Sequence, residues 1–119
     1  MPYERKKSQT YSYPFEPVYK AAYTCAKELG GKVLKHDPAN KELHVQMDKK
    51  LQGRVLGDRS KLEMKFEVAG DAETILSVFG YPLNAVGQKL MFGARPGVVD
   101  TVISVFFEEI QKKLEAGAN

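Results

Sequence analysis

The sequence predicts an α+β domain: one antiparallel sheet of about five strands with two helices on one face, in the order β-α-β-β-β-β-α. Two segments carry most of that expectation. Leu62, Met64, Phe66 and Val68 alternate with Glu63, Lys65 and Glu67 and turn at Gly70 and Asp71 into Thr74 to Gly80, an antiparallel pair with one apolar and one wet face. Val99, Val102, Ile103, Phe106, Ile110 and Leu114 form one apolar stripe at helical spacing. A meander with one apolar face needs both helices on that side.

Taken in order, Met1 to Gln9 is polar and basic and reads as a flexible tail, so the domain is expected over residues 10–117. Thr10 to Phe15 places Tyr11, Tyr13 and Phe15 on one side of a short first strand. Glu16 and Pro17 suit a first helical turn. Val18, Ala21, Ala22, Cys25, Ala26 and Leu29 then give a narrow face of small residues, ended by Gly30 and Gly31. Lys32 to His36 and Glu42 to Asp48 flank the turn-rich stretch from Asp37 to Asn40 and read as a hairpin. Lys49 to Lys61 is basic, carries Gly53 and Gly57, and reads as a loop or a bent strand end. The terminal helix has Asp100 in its first turn, pairs Glu108 with Lys112 and Glu109 with Lys113, and ends at Gly117.

The chain has 119 residues, 43% hydrophobic and 28% charged, which fits one globular domain with its own core. No run approaches the roughly 18 apolar residues that span a bilayer. The N-terminal residues lack the apolar stretch of a secretory signal, which predicts a cytoplasmic protein. Cys25, the single cysteine, falls on the helix stripe and is expected to be a buried, inert thiol.

The aromatic first strand, the Val-Tyr-Lys-Ala-Ala helix start at Val18 to Ala22, and Leu29 and Gly30 followed by a strand resemble small uncharacterised bacterial domains. The resemblance covers the first half of the chain. With the first strand paired to the last, the strand order is also similar to the TATA-binding-protein-like architecture. These likenesses imply a fold and no function.

Candidate chemistry is sparse. His36 and His44, with Asp48, would share the wet face of the hairpin if Leu34 lay opposite His44, a conceivable metal or acid/base cluster. The pair lacks a third ligand or an orienting carboxylate, so exposed strand histidines are the plainer reading, and no metal or cofactor is expected. No serine or cysteine sits beside a base in a recognisable spacing, so no catalytic residue and no enzymatic activity are expected. Lys49, Lys50, Arg54, Arg59 and Lys61, with Arg5, Lys6 and Lys7, are the argument for nucleic acid. A net charge of +3 and a wet face interleaved with Glu42, Asp48, Glu63 and Glu67 argue against it.

The remaining feature is the connector from Tyr81 to Gly97, long and apolar for a link between elements. Ile75 and Phe79 turn toward the wet face, and Tyr81, Leu83, Val86, Leu90, Met91 and Phe92 add apolar surface beside them. Such surface is expected to fold into the core as a short helix, to pair with a second copy or protein partner, or to cover a small apolar ligand. Gly93 to Gly97, with Arg95, leads into a helix start that could hold an anion. The expected interface or ligand residues are therefore Phe79, Tyr81, Leu83, Leu90, Met91, Phe92 and Arg95. The leading expectation is a non-enzymatic binding domain that self-associates or binds a protein. The alternative is a carrier or sensor of a small apolar, partly anionic ligand near Met91, Phe92 and Arg95.

Overall fold

A computed structural model describes residues 3–117. The elements are β1 (Arg5–Tyr11), α1 (Phe15–Glu28), β2 (Lys32–Asp37), a 3-10 turn (Pro38–Asn40), β3 (Glu42–Met47), β4 (Lys50–Leu51), β5 (Arg54–Val55), β6 (Arg59–Gly70), β7 (Glu73–Leu83) and α2 (Val98–Gly117). The main sheet has five antiparallel strands in the order β1-β7-β6-β3-β2, with β4 and β5 as a separate small hairpin. The first strand pairs with the last, which makes every neighbour in the sheet antiparallel.

Both helices cover one face. From the sheet, Leu43, Val45, Met47, Leu62, Met64, Leu76 and Val78 are all 0–1% exposed. They meet Val18, Ala22, Cys25 and Ala26 of α1 and Val102, Ile103, Phe106 and Ile110 of α2. The alternation that predicts the strands is the alternation that fills the core. At Gly80 the layers approach closely: a Cβ there would lie 2.9 Å from Leu62 Cδ2 and from Val99 Cγ1. Among the described residues, no helix is long and apolar enough to cross a membrane.

Several boundaries differ from expectation, each for a physical reason. β1 begins at Arg5 rather than Thr10, so Arg5 to Gln9 form strand where a tail is expected. They hide from pattern reading because an edge strand exposes both faces, and all six residues before Tyr11 are exposed. Only Tyr11 of the aromatic trio lies in the strand; Tyr13 sits in the connection and Phe15 opens α1, both packing against the core. Pro14, in extended conformation, separates the two elements. Between Val33 and Lys35 a bulge shifts the register, so Lys35 rather than Leu34 lies opposite His44. The basic segment from Lys49 folds a tight hairpin, with Gln52 (φ 50°) and Gly53 (φ 81°) both left-handed at its turn.

β6 and β7 are longer than predicted. Arg59 pairs with Leu83, Ser60 with Pro82 and Lys61 with Tyr81, so the first three connector residues belong to the sheet. The short helix considered for the connector is absent; residues 84–97 run as turns, bends and irregular backbone. In α2, Lys112 bonds Glu109 at 3.2 Å and Lys113 reaches across to Glu28 of α1. The partners expected by four-residue spacing give way to a nearer carboxylate and to an inter-helix tie.

Candidate functional site

The expected site residues divide among three neighbouring places at one end of the sheet, here called the loop end. It is built from the turn between β3 and β6, residues 84–97, and the start of α2. The first place is the wet face. Phe79 and Tyr81 point away from the helices and meet edge-on, ring centroids 5.7 Å apart. Lys89 lies over both rings, 4.6 Å from Tyr81 and 5.9 Å from Phe79, and pairs with Glu4. The Tyr81 hydroxyl donates to Glu63 Oε2 at 3.0 Å. Burial, reinforced by that carboxylate, pushes the phenol up to about 12. This aromatic pair is covered by the chain's own lysine.

The second place is a groove of about 380 Å³ whose walls include Leu83, Leu90, Lys49, Asp58 and Arg59. The connector's backbone there is tied down. Asn84 N–H donates to Gln88 O and Gly87 N–H to Asn84 O, while Asn84 Oδ1 accepts from Val86 and Gln88 N–H. Leu90 N–H returns to Pro82 O, and Leu83 bridges Lys89. The segment is a compact side-chain-capped turn. From it project Val86, 77% exposed, Met91, 49%, and Phe92, 86%. Asn84, Lys89 and Glu4 hold this arrangement, and sequence reasoning does not single them out. The only available signal is the Asn that opens a glycine-containing turn.

Arg95 occupies the third place, a cleft of about 210 Å³ that includes Tyr3, Pro82 and Val98. Its side chain lies over Gly57, whose absent Cβ would sit 2.0 Å from Arg95 Nε. Its backbone N–H donates to Asp58 Oδ2 at 2.7 Å, so an internal carboxylate takes one of the amides expected to receive an anion. At the adjoining helix start, Asp100 binds Arg5 Nε at 3.3 Å and Lys7 Nζ at 3.1 Å. Burial raises the Asp100 carboxyl, but the bonds from Lys7 and Arg5 outweigh it and hold the group below the usual range.

The histidines are separated. His44 lies on the wet face, 3.5 Å from Glu42. The bulge in β2 turns His36 to the helix side, where its Nδ1 is 2.9 Å from the Tyr19 hydroxyl and its ring is 4.7 Å from that of Tyr23. No group of three His, Cys, Asp or Glu suited to a metal occurs among the described residues. Cys25 is buried, and that burial pushes its thiol up to about 12, the opposite of an activated nucleophile.

No family model and no curated protein matches the sequence. Solved structures do match in fold. The di-domain ARO/CYC protein BexL from the BE-7585A biosynthetic pathway aligns with a TM-score of 0.63 at 11% identity, over 98% of this chain and 47% of that one. This chain therefore spans about half of that protein's length. Ara h 8.0201 aligns with 0.58 at 12% identity over 95% of this chain and 94% of its own. TTHA0849 from Thermus thermophilus aligns with 0.53 at 10% over 98% and 99%. These neighbours show a helix-grip, Bet v1-like α+β fold, and at such identities the likeness speaks for fold alone. None of the three is named for a TATA-binding role.

Proposed function

We propose that this chain is a non-enzymatic binding domain that works through its loop end, presenting Met91 and Phe92 as an apolar contact point. One observation carries this reading: Phe92 is 86% exposed, two residues beyond Leu90, where the hydrogen-bonded turn ends. An apolar ring left in water gains free energy whenever a partner covers it, roughly 1.5–3 kcal/mol for full burial. An environment-sensitive apolar dye tests it. The native protein is expected to raise dye emission several-fold more than M91S/F92S, with unchanged thermal melting. Equal emission from both would contradict the reading.

A second reading is favoured by a cleft of about 470 Å³ between the helices, with Tyr13, Pro17, Ala21 and Leu114 on its walls and Lys20 and Lys113 beside them. That size and lining suit a small apolar ligand with an anionic end, and the helix-grip fold of the neighbours supports it. Native mass spectrometry of gently purified protein is expected to show a retained mass that A21W removes. A bare chain mass would count against it.

A further inference from the structure

We propose that the partner of the loop end is an anionic lipid surface, which Phe92 and Met91 enter while neighbouring cations face the headgroups. This rests on the reading of the loop end as the working surface. Among the described residues, six large hydrophobic side chains are exposed, and four of them, Val55, Val86, Met91 and Phe92, lie in the two loops of this end. Those loops touch: Arg95 of one bonds Asp58 of the other and lies over Gly57.

Interleaved with the apolar tips are Lys49, Lys50, Arg54 and Arg95, all exposed. None of these four makes a salt bridge among the described residues, whereas Lys35, Lys61, Lys89 and Lys113 are each held by a carboxylate. The nearby Asp48 and Asp58 accept backbone N–H groups, from Lys49 and Arg95. The result is a surface with separate apolar points and more cations than carboxylates, the combination that holds proteins at the boundary of headgroups and acyl chains. Stable protein interfaces need about 800 Å² of continuous, complementary surface on each partner. Single side chains on two separate tips suit a fluid phase that conforms around them. A nucleic acid would want a row of stacking rings, yet Phe79 and Tyr81 lie under Lys89, and Phe92 alone does not make a platform.

The test is co-sedimentation with vesicles of phosphatidylcholine alone and with roughly 30% phosphatidylserine, at about 0.1 M and about 0.5 M salt. Binding is expected to the mixed vesicles at low salt only. K50Q and R54Q should each weaken it about fivefold, and M91S/F92S about tenfold or more. Absence of binding by the native chain overturns the proposal, as does binding indifferent to both sets of variants. If vesicles fail while the dye still distinguishes M91S/F92S, the surface reading survives and the lipid falls. If light scattering then shows a dimer that M91S/F92S dissolves, the occupant is a second copy and the lipid is again excluded.

Discussion

Gly80 shows how one residue decides the spacing of two layers. Its missing side chain lets Val99 and Ile103 of α2 rest on β7, with Leu62 beside them. Gly80→Ala would force these fully packed side chains apart and is expected to cost about 1–3 kcal/mol in urea unfolding. An unchanged midpoint would refute the tight approach. Asp100 offers a pH test. Its carboxyl is lowered in the folded chain, so the stabilisation it brings is present above the unfolded value of about 3.9 and is lost as pH falls through the folded one. The side chain is about a third exposed, which limits the effect to under about 1 kcal/mol. Asp100→Asn should therefore lower the unfolding midpoint slightly at about pH 7 and match the native chain at about pH 2. At this scale the sequence is readable wherever alternation meets burial: Leu76 and Val78 face the core, and Phe79 faces away. The lysine that covers Phe79 is not readable, because only the folded turn brings Lys89 back over the sheet.

Elements are legible in proportion to the apolar surface they bury. α2 is fully visible in its stripe, and β3, β6 and β7 in their alternation, since all of them face the core. β1 is displaced because its own residues face water on both sides. The bulge in β2 is invisible because its consequence is a long-range pairing: His36 is turned to Tyr19, whose hydroxyl donates to Glu42 O at 3.0 Å. That contact fastens the β2–β3 hairpin to α1. Tyr19→Phe is expected to cost about 1 kcal/mol and to speed amide exchange in β2 while leaving β7 unchanged. Uniform acceleration would mean that the tie is not local. The extension of β7 through Pro82 and Leu83 escapes a sequence reading because proline argues against a strand interior. Its carbonyl is nevertheless put to use by Leu90.

At the scale of the whole molecule, the helix layer and one sheet face are closed on each other. Ile103 is fully buried where α2 crosses the sheet, and Ile103→Ala is expected to lower stability by about 2–5 kcal/mol. A smaller loss would mean a looser interior with room for an internal ligand. The fold class and strand order can be read in advance because they follow from which faces must be hidden from water. The candidate surface can be read only in outline. Composition marks residues 81–97 as too apolar for a plain link, but which of them stay wet depends on the hydrogen bonds of Asn84 with Gln88 and of Leu90 with Pro82. Binding at the loop end accordingly requires an ordered turn whose apolar tip remains in solvent. Residue-resolved amide exchange in the native protein tests this most directly. Val86, Gly87, Gln88 and Leu90 should exchange at least about tenfold more slowly than Met91 and Phe92, whereas equally fast exchange along the whole segment would contradict the account.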